Sequence, residues 1–215
     1  MDHDDFQPPE PINGLPEVPP EGETILWQGA PDWWRLANEA LMLRWVAVYF
    51  LFLAFWRGLA GWLNVDVERG VGAAVLLIGM GIVACGLLSL MAWVMAKATV
   101  YTVTNRRVVM RVGAALTVAL NFPYRWIASA DLKLQKDGTG TIALELLGET
   151  QFSYLVCWPH VRPWHMKKTQ PSLRCIPNAE HVAGLISQNA RTQITMAQVA
   201  QNAASAPDLN AVPAE

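Results

Sequence analysis

Side chains that could bind zinc are concentrated in one stretch in the second half of the chain. Two thiols and two imidazoles occur there: Cys157, His160, His165 and Cys175. These are the ligand types that zinc prefers in structural sites. Their spacing matches no common zinc-binding pattern, and prolines interrupt the segment. We therefore interpret the four residues as parts of an exposed loop, and we predict neither a metal site nor a cofactor.

The motifs of the large enzyme classes are absent from the sequence. It contains no P-loop, no GxSxG elbow, no HExxH helix and no GxGxxG turn. No motif places a nucleophile with a base, or two acids that converge. We expect a protein that binds other molecules and is not an enzyme.

One basic segment is the main candidate for a binding surface. Between residues 150 and 179 the chain has no acid, and we call this segment the basic loop. Its cations and tryptophans are Arg162, Lys167, Lys168, Arg174, Trp158 and Trp164. Next to a membrane, such a loop can bind anionic lipid headgroups, or it can dock on an acidic patch of a partner protein, because interfaces favour Trp and Arg. A merely solvated loop is the third interpretation.

Composition argues against an ordinary soluble protein and against nucleic acid as a partner. Hydrophobic residues make up 53% of the 215 residues and charged residues 16%, whereas about 25% is usual for charged residues. The net charge is -2, so the chain lacks the positive field on which nucleic-acid binding depends. The odd number of cysteines, 3, argues against a disulfide framework.

Two apolar segments, residues 41–65 and 70–96, predict a membrane hairpin. A helix over residues 44–63 matches a hydrocarbon core about 30 Å thick, and the second segment is long enough to tilt. The linker is short, so we assign residues 41–97 to two antiparallel transmembrane helices. Basic residues flank the outer ends of the hairpin, which predicts that both termini lie in the cytoplasm.

Polar and small residues inside the hairpin are further candidates for partner contact. Arg57 lies towards the far end of the first span, where a guanidinium costs about 2.5 kcal/mol or less. It either snorkels to the headgroups or contacts a partner membrane protein. In the second span, Gly81, Cys85 and Ser89 recur every four residues and leave a groove for another helix. That helix is either the chain's own first span or one from another molecule, including a second copy.

The residues after the hairpin predict short antiparallel strands closed by a helix. Segments rich in β-branched and aromatic residues, separated by turns, occur at 99–104, 107–112, 117–120, 127–135, 141–147 and 152–157. Asn178 can cap a helix with Val182, Leu185 and Ile186 on one face. We assign residues 98–195 to a β-sandwich or partly open barrel with a C-terminal helix. The predicted class is an α+β membrane protein.

The remaining segments are expected to be peripheral. Residues 1–23 hold seven acids, six prolines and no Lys or Arg, which is typical of a disordered arm. Residues 24–40 are expected to be an interfacial segment. Within it, residues 32–40 either form a short helix lying in the membrane interface or begin the first span early. Residues 196–215, rich in Ala, Pro and Asn, are expected to be a disordered tail.

The order of these segments resembles the membrane-anchored bacterial pleckstrin-homology-like domain. The resemblance lies in residues 23–29 (ETILWQG), 101–109 (YTVTNRRVV) and 138–142 (GTGTI). It implies the same fold: a two-helix hairpin attached directly to a pleckstrin-homology-like domain.

Other segments are similar to the PuhB family of photosynthetic complex assembly proteins. They are residues 27–33 (WQGAPDW), 49–50 (YF), 55–57 (FWR), 122–128 (FPYRWIA), 158–164 (WPHVRPW) and 170–174 (QPSLR), and the similarity covers about residues 15–190. It implies a factor of purple-bacterial membranes that assists assembly of the reaction centre and its core antenna. The histidine common in that family before the arginine at the mouth of the first span is missing at residues 41–44 (LMLR), so no pigment ligand is implied there.

Two functions follow from these observations. One is an assembly factor or scaffold that binds reaction-centre and core-antenna subunits through its hairpin and its cytoplasmic domain. The other is a lipid-responsive membrane module with no photosynthetic client. Client binding in detergent is the property that separates them.

Overall fold

The fold was obtained as a computed structural model that describes residues 14–15, 18–64, 66–113, 117–148, 153–165 and 169–204. In chain order the elements are β1 (Ile25–Gly29), α1 (Trp33–Glu39), α2 (Leu43–Leu63), α3 (Val67–Ala98), β2 (Val100–Thr104), β3 (Arg107–Val112), β4 (Val118–Pro123), a 3-10 turn (Tyr124–Trp126), β5 (Ile127–Leu134), β6 (Gly140–Leu146), α4 (Tyr154–Cys157), β7 (Ser172–Ile176) and α5 (Ala179–Ala204). Two apolar helices precede antiparallel sheets and a final helix, which confirms the predicted α+β architecture.

Helices α2 and α3 pack against each other as an antiparallel hairpin. Gly61 lies against Gly70 near the connection, and Phe50 lies against Gly81 further along. A Cβ atom on Gly61 would lie 2.5 Å from the Cα of Gly70, so this crossing requires glycine. Both helices are long and apolar enough to cross a membrane. Their outer surfaces expose large apolar side chains, among them Trp45 at 71% and Ile82 at 68%.

Within the described residues, seven strands form a sandwich of two antiparallel sheets. The first sheet has the order β1-β2-β3-β4 and the second the order β5-β6-β7. Each sheet turns one face to a shared core, as alternating side chains of strands require. Fully buried members come from both sheets and from α5: Tyr101, Val108, Phe122, Ile142, Leu144, Leu173, Val182 and Ile186. Helix α5 therefore closes the sandwich with Val182 and Ile186 inward, as the sequence predicts.

Helix α1 is a separate element and not an early start of the first span. The Asp32 carboxylate accepts a hydrogen bond from the backbone N–H of Arg35 at 2.8 Å and caps its first turn. Met42, with φ of 54°, breaks the chain between α1 and α2. The backbone N–H of Asp32 donates to the carbonyl of Cys175 at 2.8 Å, which ties α1 to β7.

Several expectations about local structure differ from what the structure shows. Residues 25–29 of the expected interfacial segment form a sheet strand, because β1 pairs with β2 along its length. The strand expected at 152–157 is wrong: residues 154–157 form α4, while residue 152 lies outside the described residues. The unpredicted strand β7 takes its place in the second sheet.

The two ends of the chain also differ from the expected disorder in the parts that are described. Leu15 is only 1% exposed, and Glu23 makes a bidentate ion pair with Arg107 at 2.7 and 2.9 Å. At the other end α5 continues through Ala204, into the segment expected to be a disordered tail. Composition describes a segment by itself, and it misses contacts that the rest of the fold provides.

Candidate functional site

A pocket of about 370 Å³ lies on the outer face of the second sheet, and we call it the sheet pocket. Its floor comes from β5 and β6, where Asp131 pairs across the strands with Ala143 and Lys133 with Thr141. One wall is Glu39, the last residue of α1. The opposite wall belongs to the basic loop, from which Arg162 and Arg174 line the pocket. The structure thus brings together two of the predicted binding residues.

Arg174 differs from the exposed cation that the sequence suggested. The residue is 5% exposed, because it lies on β7 beneath α1. Its Nη1 donates to the carbonyl of Pro159 at 3.0 Å, and its Nη2 lies 3.6 Å from the Glu39 carboxylate. Burial of a guanidinium is costly unless such partners are present. Arg174 therefore joins β7 to α1 and reaches ligands only inside the sheet pocket.

Arg162 forms part of the pocket's rim. Its Nη1 donates to Asp131 Oδ2 at 2.8 Å and to Gln170 Oε1 at 3.1 Å. The guanidinium and the Asp131 carboxylate are both well exposed, at 39% and 58%, so this pair contributes little to stability and is free to rearrange around a ligand.

The tryptophans of the basic loop differ in their exposure. Trp164 is 83% exposed, and Trp158 is 36% exposed. Trp164 has φ of 66°, a backbone conformation that most residues avoid. Lys167 and Lys168 lie outside the described residues. Among the described residues of this loop, Trp164 is thus the side chain with the largest apolar surface free for a partner.

A second cavity, of about 430 Å³, lies at the elbow between α1 and α2, and we call it the elbow cavity. It shares Glu39 with the sheet pocket and is lined further by Arg35, Arg44 and Trp45. Arg35 forms an ion pair with Asp137 of the β5–β6 turn. The pKa of Asp137 lies below its usual value because the Thr139 hydroxyl donates to its carboxylate, and Arg35 adds to the shift.

His160 is the centre of a buried polar network that includes Tyr101 and Thr99. Its Nδ1 lies 2.6 Å from Tyr101 Oη, and its Nε2 lies 3.1 Å from Thr99 Oγ1. Tyr101 Oη also accepts the backbone N–H of Arg174 at 3.3 Å, which leaves its own proton available to His160 Nδ1. Burial, with Arg174 nearby, lowers the pKa of His160 to about 3. Burial also raises the pKa of Tyr101.

The expected exposed position is wrong for three of the four zinc-type residues. Cys157, His160 and Cys175 are each at most 2% exposed. Burial, with the charge of Glu39 adding, raises the pKa of Cys175 to about 12, and burial raises the pKa of Cys157 as well. Within the described residues no group of three or more His, Cys, Asp or Glu side chains could hold a metal ion.

The candidate contact residues inside the hairpin have different neighbours in the structure. Gly81 receives the Phe50 ring of α2, so at this residue the small-residue groove packs on the chain's own first helix. The hydroxyl of Ser89 donates to the carbonyl of Cys85 at 2.8 Å. Arg57 is exposed on the outer surface of α2, where no acceptor for its guanidinium is found among the described residues.

A known protein family includes both the apolar hairpin and the sandwich. The sequence matches the bacterial PH domain family over residues 41–190. The chain belongs to the bacterial PH domain family. The matched region begins at α2, so in this family member the apolar hairpin is part of the matched unit together with the sandwich. No solved structure was found to match the chain.

A curated relative of this bacterial PH domain protein comes from Rhodobacter capsulatus. It is 45% identical over 201 residues, which is 92% of each chain. It is described as an uncharacterized 23.7 kDa protein in the puhA 5′ region.

Sequence reasoning missed the three other charged residues of the sheet pocket: Glu39, Asp131 and Lys133. A signal for two of them was present, since residues at i and i+2 of a strand share one face and 131 and 133 lie on the predicted strand 127–135. Glu39 carried no such signal, because only the tertiary contact of α1 with β7 brings it to the sheet.

Proposed function

We propose that this protein is a membrane-anchored, non-enzymatic assembly factor that holds subunits of the photosynthetic reaction centre and core antenna while they associate. The observation that carries the proposal is the relative in the puhA 5′ region, which is 45% identical over 92% of the chain. That gene neighbourhood in a purple bacterium links the relative to the reaction centre. The similarity of the sequence to the PuhB family supports the same role.

The proposal places α2 and α3 in the bacterial inner membrane, including its intracytoplasmic extensions, with the sandwich in the cytoplasm. Their length and their exposed apolar surfaces support this placement. Arg35, Arg44 and Lys97 lie at the open end of the hairpin, where the positive-inside rule places the cytoplasm.

Topology can be tested with reporters inserted into the full chain. A periplasm-active reporter at Glu68, in the first turn of α3, should be active, while the same reporter after Ala200 should be inactive. Extraction with alkaline carbonate should leave the protein in the membrane pellet. An active reporter at the C-terminal position would reverse the orientation and remove the sandwich from the cytoplasm.

Client binding is expected to depend on Trp164 and on the outer surface of α2. A tagged copy, isolated in mild detergent at the onset of photosynthetic growth, should enrich incomplete reaction-centre species over mature complexes. Trp164→Ala should lower this recovery about tenfold, as interface tryptophans commonly do, whereas Trp126→Ala should leave it unchanged. Trp126 is a matched control because it is also exposed, at 43%, but belongs to the 3-10 turn before β5 and not to the basic loop.

The variant Arg57→Leu tests whether the hairpin also contributes to client binding. Loss of client with normal membrane insertion would assign Arg57 to a client helix, and unchanged recovery would assign it to snorkelling. Equal recovery of mature and incomplete complexes by every form of the protein would contradict an assembly role.

The second candidate is a lipid-responsive module without a photosynthetic client. The elbow cavity favours it, because Arg44 and Trp45 stand there at the start of α2. An equal yield of client from the tagged protein and from an untagged strain, with retained lipid binding, would favour this candidate.

A further inference from the structure

A cleft of about 630 Å³ lies where the turn between β2 and β3, the end of β4 and the second half of α5 meet, and we call it the arginine cleft. It is larger than the sheet pocket and the elbow cavity, and it opens widely to solvent. Arg106 of the β2–β3 turn and Arg125 of the 3-10 turn line it, and both are exposed. This shape suits a segment that lies across the surface, whereas small ligands favour enclosed pockets.

The guanidinium groups of Arg106 and Arg125 are free to bind an anion, because neither makes an ion pair or a hydrogen bond with a described residue. Glu23 also lines the cleft, but its carboxylate is 2% exposed and accepts two hydrogen bonds from Arg107, at 2.7 and 2.9 Å. Glu21 is exposed but does not line the cleft. The cleft therefore presents two unpaired positive charges, which complement a ligand that carries two carboxylates.

The uncharged side chains of the cleft suit a polypeptide. Asn121 lines it and is exposed, and its amide has no hydrogen-bond partner among the described residues. The side-chain N–H of Gln193 donates to the carbonyl of Asn105 at 3.1 Å, which leaves the Gln193 oxygen as an acceptor. Met196 lines the same cleft and is 66% exposed, and methionine is common on surfaces that bind varied peptides. An extended segment with carboxylates, backbone amides and an apolar side chain finds a partner for each group here.

The cleft lies at the end of β2 that is farther from the apolar helices. β2 begins at Val100, two residues after α3 ends, and runs to Thr104. At about 3.3 Å per residue, the turn that holds Arg106 is about 15 Å from the end of α3. This exceeds the Debye length of about 8 Å at physiological salt. The position therefore favours a protein segment over the lipid headgroups that would surround the end of α3.

We propose that the arginine cleft binds an acidic segment of a partner protein, with carboxylates on Arg106 and Arg125 and an apolar side chain on Met196. The proposal goes beyond the proposed function, because none of the described residues that line the cleft belongs to the basic loop and the binding needs no photosynthetic client.

The test is binding of a fluorescent peptide, EELEEL, to the full chain in non-ionic detergent at low salt, measured by fluorescence anisotropy. The peptide should bind in a saturable manner, and its uncharged counterpart QQLQQL should not. Arg106→Gln and Arg125→Gln should each weaken the binding about fivefold, the upper range for an exposed ion pair, and added salt should weaken it further. Arg191→Gln is the matched control: it removes the same charge from an exposed position on α5 that does not line the cleft, and it should bind like the wild type.

Equal binding of the two peptides would overturn the proposal, as would equal losses in all three arginine variants, because only net charge would then matter. Tighter binding of EELEEL after removal of residues 1–13, which hold four acids, would assign the cleft to the chain's own acidic arm. Loss of peptide binding on transfer from phosphatidylcholine to phosphatidylglycerol nanodiscs would assign the arginines to lipid headgroups. Either of these two results would overturn a partner protein as the occupant. Since no reaction-centre subunit is present in these assays, none of the results bears on the assembly role.

Discussion

Deletion of the gene in a photosynthetic host should lower the amounts of reaction centre and core antenna several-fold, while the absorption maxima of the remaining complexes stay unchanged. An assembly factor acts on yield, because it binds incomplete complexes and leaves them afterwards. Absorption maxima report on pigment sites, which this chain is not expected to supply. The measurement is quantitative absorption spectroscopy of isolated membranes, with growth in light as a second readout.

Complementation provides the control for the deletion. The wild-type gene and the Trp126→Ala form should restore both complexes, whereas Trp164→Ala should restore them only in part. Unchanged complex levels and normal growth in light after deletion would count against the assembly role and favour the lipid-responsive module.

Acidification should destabilise the protein through His160. The pKa of His160 in the folded state, about 3, lies below the ordinary value of 6.5. Between pH 6.5 and about 3, His160 is therefore protonated in the unfolded chain but neutral in the folded chain. Stability is therefore fully present above pH 6.5 and falls as the pH drops, by at most about 1.4 kcal/mol per pH unit. Thermal unfolding in detergent between about pH 4.5 and 7.5 measures this slope.

The variant that tests the network is His160→Gln. It should cost about 1–3 kcal/mol at neutral pH, because Tyr101 and Thr99 lose their partner, yet it should show a flatter dependence on pH over this window. His165→Gln is the control: His165 is exposed, its Nδ1 lies 2.9 Å from the carbonyl of Pro163, and the variant should keep the wild-type slope. The same slope in the wild type and in both variants would show that His160 does not control acid sensitivity.

Much of the secondary structure could be predicted because its signals are local. The apolar segments at 41–65 and 70–96 became α2 and α3, and the β-branched segments became β2 to β6. Errors arose where composition was the only guide. Residues 25–29 were expected in an interfacial segment, and their pairing with β2 is a contact across more than seventy residues of sequence.

The candidate site was only partly predictable, for a similar reason. The basic loop pointed to Arg162 and Arg174, and both line the sheet pocket. Charge alone could not show that Arg174 is buried, because its burial comes from the packing of α1 over β7. The sequence predicted that His160 is an exposed loop residue, whereas in the structure it is buried and forms a hydrogen bond with Tyr101 of β2.

The sequence by itself determined that this chain has two helices apolar enough for a membrane, a small antiparallel sandwich after them, and membership of the bacterial PH domain family. Hydrophobic periodicity, turn residues and composition depend on residues that are close together in the chain, so they can be recognised from the sequence alone. Only the tertiary structure decided which charges meet. Glu39, Lys133 and Arg174 are far apart in the chain, and they form one pocket because the Cys175 carbonyl fixes α1 against β7 while β-sheet register aligns the rest.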